Sequence, residues 1–280
     1  MSRHTRVIAA LIMAPVAIAA VLWLPSPLLA ALIAAVLMIG LWEWSLLAGL
    51  KQAAPRAAYL AVNAGLMAIL IWSAGRGVFP LTMFPLKLAS LLGVAWWLVA
   101  LVWLGKYEFA SVDSTRTRAI KLLTGSLCVV PAWAALGWLH ASSANGPAWT
   151  LYALVVVWAA DTGAYFVGVR YGKRKLAARI SPGKSWEGFW GGLGLSLALS
   201  AVAWPALGLK AHNWPALALI TLLTALASVL GDLFESLLKR HACIKDSSDL
   251  IPGHGGVLDR LDSLLAALPV FVVAKMWLGL

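Results

Sequence analysis

Long stretches without a charged side chain are the strongest constraint on this chain. They run from Val7 to Trp42, Ala57 to Gly75, Leu88 to Gly105, Leu122 to Ala160, Gly188 to Leu209 and Ala211 to Gly231. A helix needs about 20 apolar residues to cross the hydrocarbon core of a bilayer. Two of the stretches are long enough for two crossings with a short turn between them. Composition agrees: 62% of the 280 residues are hydrophobic and 12% charged, against roughly 25% charged in soluble domains. The expected fold is all-α, a polytopic integral membrane protein of about nine transmembrane helices. No composition shift or Ser/Pro linker marks off a soluble part, and no internal repeat is present. We therefore expect one membrane domain over 1–280, with N-terminal helices in 1–150 and the chemistry in 151–280.

Spans are expected near 7–24, 27–48, 57–74, 87–104, 119–139, 149–169, 189–208, 214–238 and 263–279. The breaks between them have local causes. Pro25-Ser26-Pro27 cannot continue a helix. The stretch Ser142-Ser143-Ala144-Asn145-Gly146-Pro147 is polar and holds two strong breakers. Asn213-Trp214-Pro215 reopens a helix. Trp23, Trp103, Trp138, Trp149, Trp214 and Trp277 fall near expected ends, where the amphipathic indole suits the interface. At the N-terminus, Arg3 and Arg6 before an apolar run resemble a secretory signal, with Ala17-Ile18-Ala19 as a passable cleavage site. A first transmembrane helix is the better reading.

Basic residues set the expected orientation. With the N-terminus in the cytoplasm, 18 of the 22 Lys and Arg fall on the inner side. Only Arg76, Lys87, Lys210 and Lys275 stay outside. The formal charge of +11 is thus mainly a topology signal, and nucleic acid is not an expected partner. A basic cytoplasmic face attracts anionic lipid and nucleotide phosphates. Cys128 lies inside an expected span and Cys243 in a cytoplasmic loop, so a disulfide is not expected. No Cys/His spacing suggests zinc.

The charge that remains is concentrated. Of 11 acidic residues, six lie between Gly231 and Ser263: Asp232, Glu235, Asp246, Asp249, Asp259 and Asp262. Lys239, Arg240, Lys245 and Arg260 stand among them, around the turn Gly253-His254-Gly255-Gly256. Asp232, Glu235 and Ser236 share one face of the eighth span, and Asp259 and Asp262 share a face in the same way. Asp232 lies about two turns below the cytoplasmic end of its span, and Asp161 is similarly deep in the sixth. A carboxylate at that depth is costly unless it pairs, binds a metal or lines a wet cavity. A buried ion pair with Lys239 or Arg240 is the bland alternative. Hard oxygen ligands beside bases suit Mg²⁺ carrying a phosphate substrate. The glycines either form a plain turn or let backbone N–H groups approach a phosphate. His254 is either a phosphate donor or a solvated loop residue.

A second informative stretch runs from Asp161 to Gly192. Six bases between Arg170 and Lys184 act as a positive-inside anchor, yet Ser181-Pro182-Gly183-Lys184-Ser185 is more particular than an anchor requires. Ser181-x-x-Lys184 also fits a serine β-lactamase motif, but nothing else of that set is present. Gly188 and Gly192 form a GxxxG pair, which points to close helix packing.

Ser236-x-Leu238-Lys239-Arg240, Lys245-Asp246-x-Ser248 and Ile251-Pro252-x-His254-Gly255-Gly256-Val257-x-Asp259-Arg260-Leu261-Asp262 together resemble the signature of the CTP-dependent phosphatidate cytidylyltransferases, with no departure. Asp161-Thr162-Gly163-Ala164-Tyr165 and Ile180 to Gly188 also look like that family. The resemblance is specific over roughly the C-terminal half. It implies a multi-pass enzyme of the cytoplasmic membrane that joins phosphatidic acid and CTP, with Mg²⁺ and a second cation as cofactors, and a homodimer. Carried onto this sequence, the catalytic group is Asp232, Asp259, Lys239, Arg240, Lys245, Asp246, Arg260 and Asp262. Lys184, Ser185, Ser236, His254, Gly255 and Gly256 are expected at the substrates. Metal is expected on Asp232 and Asp259, with Asp161 or Asp249 for a second ion. Lys239, Arg240, Lys245 and Arg260 would hold phosphates, and Lys184 and Ser185 would close the site from the other loop.

Two other classes fit less well. An ion pathway would use Asp161 and Asp232, but no charged residue lies deep in the outer half of any expected span. A non-enzymatic scaffold leaves four aspartates, a histidine and a glycine turn in one loop without a reason. The Asp-Gly-x-x-Ala-Arg pattern of the CDP-alcohol phosphotransferases is absent.

Overall fold

The computed structural model describes residues 3–75, 83–251 and 255–280, with side chains from residue 13 onward. The helices are α1 (Arg3–Trp23), α2 (Ser26–Leu47), α3 (Ala53–Gly75), α4 (Phe84–Leu104), α5 (Thr115–Ala141), α6 (Gly146–Tyr171), α7 (Trp186–Ala203), α8 (Trp214–His241) and α9 (Leu258–Leu278). The protein is an all-α, multi-pass membrane protein. Seven of these helices, α2 to α6, α8 and α9, are long and apolar enough to cross a membrane. In α7, Glu187 and four glycines dilute the apolar content. The expected seventh span reached 208, whereas α7 ends at Ala203, just before Pro205, whose ring and missing N–H stop a helix.

One small β-hairpin interrupts the helices. Strands β1 (Lys175–Ala177) and β2 (Ser181–Ser185) pair antiparallel between α6 and α7. Glu187, in the first turn of α7, accepts the backbone N–H groups of Lys173 at 3.0 Å and Arg174 at 3.2 Å. This staples the strands to the helix they precede. Ser185 caps α7 by accepting the Gly188 N–H at 3.1 Å.

Packing explains where the polar faces point. Phe234 of α8 is fully buried and meets Trp96, Trp97 and Trp103 edge-on, with ring centroids 6.0, 5.8 and 5.3 Å away. Edge-to-face geometry puts positive ring edges on a negative face. With Phe234 turned toward α4, Asp232 two residues earlier faces the opposite side of the helix. The GxxxG pair does what its spacing predicts: a Cβ on Gly188 would lie 2.8 Å from the Ala164 carbonyl oxygen, and one on Gly192 would lie 2.6 Å from that of Ala160. Helices α6 and α7 thus touch backbone to backbone. Gly231 has the same function between α8 and α9, where a side chain would meet the Asp262 carbonyl.

Candidate active site

A cavity of about 480 Å³ opens between α6, α7, α8, α9 and the hairpin. It is graded along the helix axes. Along the helices, from their middles toward the ends of α6 and α8, the lining passes from Gly192, Leu193, Ala225 and Val229 through Asp161, Asp232 and Asp262 to Lys184, Lys239, Asp246, Asp259 and Arg260. Residues from both informative stretches of the sequence therefore share one wall.

The ionic groups in it are cross-paired. Lys184 Nζ from β2 lies 2.5 Å from Asp232 Oδ2 of α8, with about a quarter of each side chain exposed. Ser236 Oγ donates to Asp232 Oδ1 at 3.3 Å. Lys239 Nζ donates to Glu235 Oε2 at 3.0 Å and, across to α9, to Asp259 Oδ1 at 2.6 Å. The other oxygen of Asp259 accepts the N–H of Ser247 at 2.9 Å, its hydroxyl at 3.0 Å and the N–H of Gly256 at 2.7 Å. A buried carboxylate with this many donors is held in one orientation. Asp262 Oδ1 accepts the Ser263 N–H at 2.6 Å, and Asp161 and Asp262 each lie within electrostatic reach of Asp232.

The glycine turn is built around Asp259. Gly255 has φ +78°, and a Cβ there would stand 2.5 Å from Asp259 Oδ2. The Gly256 N–H donates to the same Asp259 oxygen. Pro252, Gly253 and the expected substrate residue His254 lie outside the described residues. Arg240 Nε donates to the Ile180 carbonyl at 3.1 Å, which ties α8 to the hairpin, and its side chain does not line the cavity. Ser236 also stands behind the lining, reaching it through Asp232. Ser185 lines it while capping α7. Lys245 and Asp249 are exposed on the loop after α8, outside the lining.

One carboxylate of this neighbourhood escaped the sequence reading. Glu43 of α2 is 2% exposed. Its Oε1 accepts the Ser248 hydroxyl at 2.5 Å and the Val257 N–H at 3.1 Å, and its Oε2 the Ser247 hydroxyl at 3.0 Å and the Leu258 N–H at 2.7 Å. The available signal was a lone acid inside Leu41-Trp42-Glu43-Trp44 near the end of an apolar span.

Among the described residues no three His, Cys, Asp or Glu side chains converge as a ready-made metal cage. Mg²⁺ does not require one: it is usually held by one or two carboxylates plus waters and substrate phosphates. Asp232 already faces a cation, the Lys184 ammonium, and the donors around it are hard oxygens. The residues fit that ion.

Carboxylates and ammonium groups thus line one cavity inside an all-helical membrane bundle. Comparison with known proteins narrows the class. The cytidylyltransferase family model matches residues 4–277, and the chain belongs to that family, a family of nucleotidyltransferases. It is 44% identical over 276 residues to the phosphatidate cytidylyltransferase of Pseudomonas aeruginosa, covering 97% of this chain and 96% of that one. It is 37% identical over 277 residues to that of Haemophilus influenzae, covering 95% and 96%. A shorter match to the Bacillus subtilis enzyme of the same name is 48% identical over 124 residues, covering 44% of this chain and 46% of that one.

Proposed function

We propose that the protein transfers the cytidylyl group of CTP to phosphatidic acid, releasing pyrophosphate and leaving CDP-diacylglycerol in the membrane. The observation that carries this reading is the grading of the cavity. Its apolar lining at Leu193 and Val229 and its ionic lining at Lys184, Lys239 and Arg260 suit a substrate that is itself half lipid and half phosphate. The full-length relatives bear the corresponding name.

The reaction is a displacement at phosphorus. An oxygen of the lipid's phosphate monoester attacks the α-phosphorus of CTP. A P–O bond forms there as the bond to the α,β-bridging oxygen breaks, and that electron pair leaves with pyrophosphate. The monoester already ionises near neutral pH, so the site needs no strong general base. Both reactants are anions, so charge neutralisation and alignment are the main tasks. Lys239 and Arg260 reach the mouth of the cavity for this purpose, with Arg240 and Lys245 beside it, and Lys184 approaches from the hairpin. Asp259, fixed by Ser247 and Gly256, orients Lys239. Asp246 stands against Gly255 of the turn before Asp259, and Asp262 lies beside Asp232. Asp232 and Asp259 are the residues that would hold Mg²⁺, with Asp161 or Asp249 for a second cation. Bound there, the ion supplies Lewis-acid neutralisation of phosphate charge.

The mouth of the cavity faces the cytoplasm in this reading, with nine spans and a cytoplasmic N-terminus in the cell's inner membrane. The basic loops after α4, α6 and α8 support that orientation. Single cysteines at Ser114, Lys173 and Ser248, with Cys128 and Cys243 removed, should resist an impermeant reagent in intact cells; labelling from outside overturns it. A homodimer is the assembly the resemblance implies, and a monomer by light scattering would remove it. The decisive experiment supplies purified protein with phosphatidic acid, Mg²⁺ and each of the four nucleoside triphosphates. A liponucleotide forms with CTP. Folded protein that makes none with any of the four excludes the reading.

A further inference from the structure

We infer that Glu43 is a positioning residue for the site, set on the half of the chain that carries none of the matched motifs. The inference rests on the reading that Asp259 and Lys239 serve cytidylyl transfer. Glu43 gathers donors from both sides of the glycine turn: the Ser247 and Ser248 hydroxyls before it, and the Val257 and Leu258 N–H groups after it. A helix cap would need only the last two. The two serines do more. Ser247 Oγ stands 3.0 Å from Glu43 Oε2 and 3.0 Å from Asp259 Oδ2. Its hydroxyl has one proton, so it is shared between the two carboxylates, and moving either one alters what the other receives.

From Asp259 the chain continues to Lys239 at 2.6 Å and on to Glu235 at 3.0 Å. A buried acid of α2 is thereby linked through Ser247 and Asp259 to the Lys239 ammonium that lines the cavity. The turn is shaped to admit it. A Cβ on Gly256 would lie 2.6 Å from each Glu43 carboxylate oxygen and collide with Ser247 Oγ. No basic side chain is hydrogen-bonded to Glu43 among the described residues; its partners are hydroxyls and amides. Its negative charge is therefore matched by donors from the segment that carries Asp259, and by the partial positive charge of the α9 N-terminus.

The test combines a mutant cycle with a readout independent of turnover. Glu43→Gln, Ser247→Ala, the double variant and Ser248→Ala are purified and compared well below their unfolding temperatures. Glu43→Gln should lower kcat by about tenfold or more, since small misplacements of a catalytic group cost that much. The KM for CTP should change less. Ser247→Ala should cost a similar factor, and the double variant little more than either single one, because groups acting as one unit are non-additive. Ser248→Ala touches Glu43 but not Asp259 and should cost less. Glu43→Asp should restore part of the rate. Independently, hydrogen exchange at the amides of Gly256, Val257 and Leu258 should quicken in Glu43→Gln, with α3 and α5 unchanged. Full kcat in folded Glu43→Gln, or losses that multiply in the double variant, overturn the inference. If wild type makes no liponucleotide, the transferase reading fails instead, and the exchange experiment alone decides whether Glu43 clamps the turn. Should Glu43→Gln not insert, the Ser247→Ala and Glu43→Asp pair carries the same comparison.

Discussion

The two ends of the bundle solve the same problem differently. At the end where α2, α4, α6 and α8 finish, bases meet carboxylates from other elements, as in Lys184 with Asp232 and Lys239 with Asp259. At the opposite end no acidic residue is present in the sequence, and Lys87 and Lys275 lie against aromatic rings. Lys275 Nζ lies 4.5 Å from the Trp149 ring centroid and donates to the Leu280 carbonyl, and Lys87 Nζ lies 5.5 Å from that of Trp138. His140 is buried there between the Ser26 hydroxyl at 2.8 Å and the Val21 carbonyl at 2.8 Å. A cation over an indole face is attracted by the ring quadrupole without a counter-charge. Paired charges around a cavity can instead exchange partners with an incoming ion or phosphate. The difference separates an end whose bases lie on rings from one whose bases pair with carboxylates across a cavity.

The sharpest way to break that comparison is at the paired carboxylates. Asp232→Asn and Asp259→Asn should each lower activity by about 100-fold or more, as removal of a principal electrostatic contact does. Asp232→Asn should remain folded and inserted, since Lys184 is partly exposed and can reach water. Asp259→Asn leaves Lys239 with Glu235 alone in a buried setting, so a lower unfolding temperature in detergent accompanies it. Activity within about twofold of wild type at either position would place the chemistry elsewhere.

Lys184 tests whether the hairpin belongs to the site or only anchors the loop. Lys184→Ala should slow the reaction about tenfold, equivalent to roughly 1.4 kcal/mol of transition-state stabilisation. Lys184→Arg should recover only part, because a planar guanidinium does not occupy the point of a compact ammonium. Lys173→Ala, whose side chain does not line the cavity, should be nearly neutral. Equal small effects at both positions would assign the loop to topology.

His140→Ala sharpens the other side of the contrast. It removes two buried hydrogen bonds and should cost about 1–3 kcal/mol of stability, read as a lower unfolding temperature, while kcat of the folded protein stays unchanged. A selective loss of kcat would show that the far end communicates with the cavity.

The smallest effect is expected at Asp113. Its hydrogen bond from Arg118, 2.6 Å away, holds its carboxyl below the usual range. A lowered acid contributes stability above its unfolded value, about 3.9 for Asp, and loses it as pH falls through the lowered one. The pair is exposed, so the contribution is slight. Asp113→Asn should leave both activity and unfolding temperature unchanged at neutral pH; a clear drop would show that surface pairs at this end also carry structure.

Much of this was legible in the sequence because its causes are local. Charge-free runs, Pro25 and the breakers at Gly146-Pro147 lead directly to helices and turns, and the helices begin within a turn or so of the expected places. The GxxxG pair reads as close packing since a missing Cβ is a property of the residue itself. Of the acids concentrated between Gly231 and Ser263, Asp232, Asp246, Asp259 and Asp262 line the cavity. The hairpin did not stand out, because Lys175 to Ser185 shows no alternating apolar pattern; Glu187 and Arg240 hold it in place instead.

The sequence by itself determined the membrane class, the helices and which residue types cluster near the chemistry, since hydropathy and spacing act within a segment. Only the tertiary structure decided the partners. Lys184 is 48 positions from Asp232, and Glu43 reaches Ser247 across 204 positions and Leu258 across 215. Nothing in either segment specifies those pairings. They follow from the rotation of α8 set by Phe234 and three tryptophans, from the glycines that let α6 meet α7 and α8 meet α9, and from the donors that Glu43 and Asp259 gather.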